Sequence, residues 1–265
     1  MRHIGLFGLG EAGSLIAADL VAAGARVTAY DPADVSTPDG VIRCKTPSPA
    51  VADADVVIGL TAAADARDAL EQALDDIPQN ALYADFSTSA ASLKRELAAI
   101  AEARHLDFVD VALLAVVPGN GLRTKALASG KGADRFRGIF RQLGMPVDAL
   151  GGQAGDAATR KLLRSVFMKG LAAVMIEALQ AAEKADLADW LWDNLTTEIA
   201  LADENLVRRL VAGTVPHAQR RLHEMEASVQ LLQDLGVEPL MTRGTVENLR
   251  RVLKKGLPLV PTPSV

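Results

Sequence analysis

Three glycines near the amino terminus, Gly8, Gly10 and Gly13, have the spacing G-x-G-x-x-G. Between a strand and a helix, the first permits a tight turn, the second lets the backbone approach a pyrophosphate, and the third allows close helix packing. The amino terminus of the helix then faces the phosphate charge. We therefore predict that a dinucleotide binds along this turn, at Gly8, Leu9, Gly10, Glu11, Ala12 and Gly13. The alternative is an ordinary βαβ turn.

A carboxylate follows the second predicted strand, because Asp31 stands eighteen residues after Gly13. There it can accept hydrogen bonds from an adenosine ribose, whereas a 2′-phosphate would meet like charge. Asp34 adds negative charge, and Arg43 and Lys45 are the nearby bases that could pair with a phosphate. We therefore predict NAD as the cofactor, with NADP possible.

A lysine interrupts an apolar segment, residues 153–185, that lacks proline and is predicted to be one long helix buried between domains. Helical geometry places Lys161, Arg164 and Ser165 on one stripe. Apolar surroundings and the like charge of Arg164 favour a neutral amine, which is the form a general base needs. The alternative is a lysine whose stem packs while its ammonium reaches solvent.

Two regions of different character must position these residues. Up to residue 151, short apolar runs alternate with helical segments, which predicts a doubly wound parallel sheet of Rossmann type. The predicted strands are 2–7, 26–30, 41–43, 55–60, 82–86, 107–111 and 147–150. Residues 152–265 are predicted to form an all-helical substrate and dimerisation domain with breaks near 213–216 and 236–239, and an extended arm at 258–265.

Composition narrows the class of protein. The chain has 265 residues, 49% of them apolar, and a net charge of −5 without a basic run, which argues against nucleic acid or an anionic membrane as partner. No apolar run reaches the ~18 to 20 residues of a membrane span, and because the first predicted strand starts at residue 2 we expect no signal peptide. Cys44 is the single cysteine, expected to be a small buried side chain, and no metal site is predicted. We expect a cytoplasmic location.

The segment around Lys161 resembles the β-hydroxyacid dehydrogenases, relatives of 6-phosphogluconate dehydrogenase and 3-hydroxyisobutyrate dehydrogenase. That family carries a catalytic lysine in the pattern G-x-G-x-x-x-K-x-x-N-N. Gly155 and Lys161 match, Ala157 replaces the second glycine, and Arg164 and Ser165 replace the asparagines. The resemblance implies that Lys161 is the general acid/base, and we expect Arg164 and Ser165 to contact the substrate.

The resemblance covers the whole chain and includes Asp-Phe-Ser-Thr at 85–88. Thr61 and Ala62 follow the strand at which the family contacts the nicotinamide ribose, and Ser87 and Thr88 follow the next strand. The carboxyl ends of strands are where open α/β sheets bind ligands. Thr61, Ala62 and Ser87 are therefore predicted to bind cofactor, and Ser87 and Thr88 substrate. These residues can also cap helices.

The family's substrate loop, D-A-P-V-S-G-G, is altered in this chain. Asp110 matches, but Leu114 stands in place of the serine that binds a carboxylate. We expect Pro118 and Gly119 to line the substrate site, with backbone N–H groups of Gly119 and Gly121 as donors. The apolar loop predicts a substrate larger or less polar than a short β-hydroxy acid.

A family Lys-Asp pair also has a counterpart. It lies thirteen residues before the glycine of an L-G-V segment, which here is Gly236, and the corresponding residues are His223 and Glu224. With Arg220 one turn earlier, His223 is predicted to bind a substrate carboxylate or phosphate. A solvated helix face is the alternative. These replacements resemble a less-characterised bacterial branch of the family.

The sequence therefore predicts an NAD(P)-dependent oxidoreductase that acts on a hydroxyl-bearing small organic acid. One alternative is an imine reductase of the same architecture, against which Lys161 argues. Another is a non-catalytic dinucleotide-binding regulatory protein, which the departures at Leu114, Arg164 and Ser165 keep open. Because the long apolar helix needs cover, we also predict a homodimer in which Trp190 and Trp192 lie in the core or the dimer interface.

Overall fold

The computed structural model describes residues 1–257, so the predicted arm at 258–265 lies outside the described residues. The chain divides into two compact units, Met1–Arg164 and a second that begins at Ser165. The division falls inside the longest helix, and the predicted domain boundary after residue 151 stays a prediction. Within residues 1–257, no helix is both long and apolar enough to cross a membrane.

The first unit contains an eight-stranded sheet with the order β3-β2-β1-β4-β5-β6-β7-β8. Its strands are β1 His3–Phe7, β2 Arg26–Tyr30, β3 Ile42–Arg43, β4 Val56–Gly59, β5 Leu82–Asp85, β6 Asp107–Leu113, β7 Ala126–Ser129 and β8 Val147–Ala149. Its helices are α1 Glu11–Ala22, α2 Pro47–Val51, α3 Ala66–Ala73, α4 Ala91–Glu102 and α5 Ala133–Gln142. The Rossmann-type fold class is thereby confirmed.

The sheet departs from the predicted parallel arrangement near one edge. β7 pairs antiparallel with β6, and β8 pairs parallel with β7. The chain returns from β6 through a loop with a 3₁₀ turn at Gly121–Arg123, without a crossover helix, and such a connection makes neighbouring strands antiparallel. Sequence patterns missed β7 because Ala-Leu-Ala-Ser lacks the β-branched and aromatic residues typical of strands.

Helices cover both faces of this sheet, which is why its central strands are apolar throughout. Side chains alternate between the faces, so Ile4 belongs to the core on the side of α1 and α5. Phe7 belongs to the core on the other side, which includes residues of α2, α3 and α4. The turn after β1 is thereby fixed between two cores, and the carboxyl ends of β1, β4 and β5 meet along one edge.

The longest helix, α6 (Asp156–Lys184), is followed by α7 Ala188–Ala200, α8 Glu204–Ala212, α9 Thr214–Asp234 and α10 Leu240–Lys255. The ends of α8 and α9 agree with the predicted breaks. Glu177 of α6 accepts hydrogen bonds from the backbone of Met241 at 2.7 Å and of Thr242 at 2.8 Å. Burial raises the pKa of Glu177, but the Thr242 hydroxyl and these amides outweigh that effect and hold it below its usual value. A buried carboxylate thus anchors the start of α10.

The predicted burial of the long helix is wrong for the single chain. Val166 is 74% exposed and Phe167 is 63% exposed. Trp190 and Trp192, at 63% and 58% exposure, are not core residues. Their predicted place in a dimer interface stays a prediction.

Candidate functional site

The glycine turn has the geometry that the sequence motif predicts. Gly8 has a φ of 97°, and a Cβ there would lie 2.3 Å from the Leu60 carbonyl oxygen. A Cβ on Gly13 would lie 2.0 Å from the Gly8 carbonyl oxygen. Around Gly10, by contrast, no described atom lies within 4 Å of a Cβ position. Two glycines are therefore required by the protein's own packing, while Gly10 leaves the backbone open to an approaching ligand.

Helix α1 begins directly after this turn at Glu11, and no side chain caps its amino terminus. The first amides of a helix have no partner within the helix, and they face outward with the positive end of the helix dipole. Leu9, Glu11 and Ala12 lie in this turn and the first helical turn. The arrangement is suited to binding the negative charge of a pyrophosphate.

Asp31 is held by two backbone amides. Its Oδ2 accepts from Leu9 N at 2.7 Å, and its Oδ1 accepts from Ala33 N at 2.9 Å. Arg43 donates to the carbonyl oxygens of Asp31 at 2.8 Å, Ala33 at 2.7 Å and Val35 at 2.9 Å. The guanidinium thus orders the loop after β2, and the carboxylate stays beside the glycine turn.

A cavity of about 390 Å³ lies at this edge of the sheet. Its volume is in the range of small-molecule sites in proteins. Five of the residues predicted to bind cofactor line it, together with acidic and amide side chains of the β4–α3 region: Gly8, Gly10, Asp31, Thr61, Ala62, Asp65, Asp68 and Gln72. The cradle therefore fits an adenosine group, and the roles of the individual residues stay predictions.

Lys161 and Thr88, both in the first unit, lie in direct contact. Lys161 is half-buried on the second turn of α6, and its Nζ donates to Thr88 Oγ1 at 2.7 Å. Thr88 follows β5 at the same sheet edge as the glycine turn. Ser87 is turned inward, where its hydroxyl donates to Asp85 Oδ2 at 2.8 Å. The structure thus brings together the predicted general acid/base and one predicted substrate residue.

Part of the predicted substrate loop, residues 110–121, forms hydrogen bonds within the loop itself. Gly121 N donates to the Val117 carbonyl at 2.7 Å, so the expectation that this N–H is available to a substrate is wrong. Its φ is 52°, and a Cβ there would lie 1.9 Å from Asp19 Oδ2. Pro118 and Gly119 are exposed, and Gly119 has a φ of 81°. Their predicted role in substrate binding stays a prediction.

The remaining predicted substrate residues lie on two helices. Arg164 is exposed on α6 and Ser165 next to it is half-buried. On α9, Arg220 pairs with Glu224 at 3.0 Å, and His223 Nε2 lies 3.0 Å from Gln219 Nε2. Both α9 residues are exposed and bond along their own helix. Their substrate roles therefore also stay predictions.

Two other titratable residues of the first unit are unsuited to act as a base near neutral pH. Burial, followed by the nearby charge of Asp85, raises the pKa of Tyr83 well above its usual value. Cys44 is half-buried, less so than predicted, and burial raises the pKa of its thiol despite a backbone hydrogen bond and the charge of Arg26. Both groups are therefore protonated at neutral pH.

Sequence reasoning missed a buried ion cluster formed by Lys94, Asp85 and Asp110. Lys94 Nζ lies 2.7 Å from Asp85 Oδ2 and 3.3 Å from Asp110 Oδ1, and all three side chains are almost completely buried. The sequence indicated only part of it. Asp85 and Asp110 stand among apolar strand residues, and buried carboxylates need a cation or several hydrogen-bond donors, but the sequence does not identify those partners.

Residues 3–151 match the family described as the NAD binding domain of 6-phosphogluconate dehydrogenase. Residues 182–252 match a domain of unknown function, DUF1932. The first match covers more than half of the chain and contains both the glycine turn and the strands of the sheet. It also confirms the resemblance to the β-hydroxyacid dehydrogenases.

Individual relatives are distant. An uncharacterized 28.5 kDa protein of Methanothermus fervidus is 28% identical over 145 residues, which are 55% of this chain and 56% of that protein. The chain thus spans little more than half the length of that relative. A probable 3-hydroxyisobutyrate dehydrogenase of Mycobacterium bovis is 28% identical over 205 residues, 74% of this chain and 69% of that protein.

Among solved structures, a reductive aminase of Aspergillus terreus in complex with NADPH and ethyl levulinate superposes with a TM-score of 0.80. It is 19% identical and covers 97% of this chain and 94% of its own. At this identity the likeness shows the shared fold. The chain belongs to the family of the NAD binding domain of 6-phosphogluconate dehydrogenase, a family of NAD(P)-binding oxidoreductases.

Proposed function

We propose that this protein is an NAD(P)-dependent dehydrogenase of the β-hydroxyacid type, with Lys161 as general acid/base. The observation that carries the proposal is the contact between Lys161 Nζ and Thr88 Oγ1 at 2.7 Å. An amine held beside a hydroxyl acceptor at the ligand-binding edge of the sheet can exchange a proton with a substrate oxygen.

The cofactor would lie along the carboxyl edge of the sheet. The turn 8–13 would hold the pyrophosphate, and Asp31 would accept hydrogen bonds from the adenosine ribose. In the sheet, β4 separates β1 from β5, so about 10 Å separates the ends of β1 and β5. A dinucleotide bound at the first turn can therefore extend to the segment that carries Thr88. When bound, its nicotinamide supplies the hydride acceptor or donor.

Lys161 would take the proton of the substrate hydroxyl in the oxidation and return it to the carbonyl oxygen in the reduction. Thr88 would orient the amine through the hydrogen bond that it accepts. Leu114 in place of a serine removes one hydroxyl that could bind a carboxylate. The substrate's acidic group would then be held by other donors, for which Arg164, Ser165, Arg220 and His223 remain the proposed candidates.

A panel of substrates tests this function. Hydroxy acids, sugar acids and their phosphates are supplied with NAD or NADP, and reduced nicotinamide is followed by absorbance. We expect turnover with at least one acid and poor turnover of 3-hydroxyisobutyrate, at least about tenfold below the best substrate, since one lost charged hydrogen bond accounts for that factor. Efficient turnover of 3-hydroxyisobutyrate would show that Leu114 does not exclude short acids.

The same panel separates the two alternatives. The relative from Mycobacterium bovis is named a probable 3-hydroxyisobutyrate dehydrogenase, and solved neighbours of the same fold include imine reductases. Cyclic imines, and ketones with amines, are therefore offered with reduced cofactor. Reduction of imines without oxidation of any acid would replace the proposed function. Binding of dinucleotide without turnover of either class would favour a regulatory protein.

We further predict that the protein is a homodimer. Large apolar side chains are exposed to water at Val166, Phe167 and Trp190, and this exposure is energetically unfavourable. Light scattering should give twice the 27.9 kDa mass of the chain. Phe167→Asp should shift the protein towards monomer, whereas Ile42→Asp, at an exposed apolar residue of β3, should not. A wild-type protein that stays monomeric at micromolar concentration contradicts this prediction.

A further inference from the structure

The buried ion cluster connects the two segments that carry Lys161 and Thr88. Lys94, on α4, is 1% exposed, and its Nζ donates both to Asp85 Oδ2 at 2.7 Å and to the Asp85 carbonyl at 3.0 Å. The same Nζ lies 3.3 Å from Asp110 Oδ1. A buried ammonium is strongly unfavourable without such partners, and so are two neighbouring buried carboxylates without a cation. Lys94 is therefore hydrogen-bonded to Asp85 and paired by charge with Asp110, whose Oδ1 accepts no hydrogen bond within the described residues.

The first carboxylate controls the segment that leads to Thr88. Asp85 Oδ1 accepts from Ser87 N at 3.2 Å, and Oδ2 accepts from Ser87 Oγ at 2.8 Å. Ser87 immediately precedes Thr88, whose Oγ1 accepts from Lys161 Nζ. The position of the hydroxyl acceptor thus follows from the position of Asp85.

The second carboxylate controls the start of α6. Asp110 Oδ2 accepts from Gly155 N at 3.0 Å and from Ala158 N at 2.9 Å. It thereby takes the place of an N-cap residue for the first turn of the helix. Lys161 lies one helical turn after Ala158. The direction in which α6 presents Lys161 thus follows from the position of Asp110.

We propose that Lys94 is a positioning residue that holds the Lys161 amine against the Thr88 hydroxyl. It acts through Asp85 on one partner and through Asp110 on the other. The geometric part of this proposal is independent of the reaction, and its consequence for turnover rests on the proposed function. A cluster that only stabilised the fold would leave the contact between Lys161 and Thr88 unchanged.

The reactivity of the Lys161 amine measures that contact without a substrate. The full chain is labelled briefly with acetic anhydride, and the acetylation rate of Lys161 is determined by peptide mass spectrometry relative to the exposed Lys45. Thr88→Val removes this hydrogen-bond acceptor of the Lys161 amine. The variant should raise the acetylation rate of Lys161 about threefold, in keeping with the loss of one hydrogen bond. Lys94→Met should raise it by a similar factor. Arg95→Met, which removes an exposed charge from the same helix, should leave it unchanged.

The double variant distinguishes positioning from general destabilisation. If Lys94 acts through the contact between Lys161 and Thr88, then Lys94→Met has no further effect on the labelling rate once Thr88→Val is present. An unchanged rate in the folded Lys94→Met protein overturns the proposal. So does a double variant in which the two increases multiply.

Loss of the buried cation can prevent the Lys94→Met protein from folding. In that case the Ser129→Ala variant is used for the same test. The Ser129 hydroxyl donates to Asp110 Oδ2 at 3.2 Å and accepts from Ala157 N at 3.0 Å, and its removal loosens the same helix start without removing a charge. Lys161 labelling should rise about twofold in this variant, and an unchanged rate contradicts the proposal.

Turnover adds a separate comparison. With a substrate from the panel, Lys94→Met should lower kcat several-fold, roughly as Thr88→Val does, and leave the dinucleotide Kd unchanged. If Lys161→Met retains full turnover, the general acid/base role is wrong while the labelling result still decides the positioning role. Both proposals are supported if Lys94→Met raises the labelling rate of Lys161 and lowers kcat in the protein that carries Lys161, but does not lower kcat further in the Lys161→Met protein.

Discussion

Lys161→Met should lower turnover by about 10²–10⁴-fold, the usual contribution of a positioned general acid/base. Methionine preserves most of the apolar stem, so packing along α6 is retained while the proton acceptor and the donor to Thr88 Oγ1 are lost. The cavity at the glycine turn is lined by other residues, and NAD(P) affinity should therefore stay near that of the wild type.

Arg160→Met provides the matched control. Arg160 is the preceding residue of the same helix, is exposed, and donates to the carbonyl of Asp156 at 3.1 Å. Its replacement also removes one positive charge from this end of α6, yet it should leave kcat and KM close to wild type. Steady-state rates and calorimetric titration with the dinucleotide give the comparison. A Lys161→Met protein that turns over at the rate of the Arg160→Met protein would refute the assignment.

The part of the site that the sequence predicted well is the part determined by local geometry. Gly8 and Gly13 are required by contacts with the backbone a few residues away or on the adjoining strand, so their spacing alone indicates the turn. The same holds for the strands flanked by periodic helices. β7 was missed because its residues have weak strand preference and its direction depends on pairing with β6.

The buried cluster could not be predicted from local patterns. Asp110 bonds to Gly155 and Ala158, which are 45 and 48 positions away in the sequence. Only the folded sheet brings the helix start beside β6. The sequence could indicate that a carboxylate in an apolar strand needs donors, but not which amides and which lysine provide them.

The exposure of side chains in the second half of the chain could not be predicted from the sequence either. A segment that is apolar on most sides predicts burial, but the pattern does not identify the surface that covers it. In the single chain, Val166 and Phe167 remain exposed. The same apolar composition therefore fits a helix that becomes buried by association, which only a measurement of mass can decide.

We expect NAD to bind at least tenfold more tightly than NADP, a difference of ~1.4 kcal/mol. The reason is the placement of Asp31 rather than the overall acidity of the loop. Amides of Leu9 and Ala33 hold its carboxylate beside the glycine turn, where the adenosine ribose of a bound dinucleotide would lie. A ribose hydroxyl can donate to this carboxylate, whereas a 2′-phosphate would be repelled.

Arg43 could in principle compensate by pairing with a 2′-phosphate, as arginines near this position can. In the structure both of its terminal nitrogens donate to the loop itself, including the carbonyls of Asp31, Ala33 and Val35. To bind a phosphate, the guanidinium would have to give up bonds that order the loop. The cation therefore supports the position of Asp31 and does not offset its charge.

Calorimetric titration with NAD and NADP measures the preference directly. Asp31→Asn keeps the size of the side chain and removes the repulsion, so it should narrow the ratio of the two Kd values to about threefold or less, roughly 0.7 kcal/mol. Asp34→Asn removes the same charge from an exposed residue of the same loop and should change the ratio little, because solvent screens exposed charges. Equal or tighter binding of NADP by the wild type would refute the role given to Asp31. A similar change in both variants would assign the preference to the loop's net charge instead.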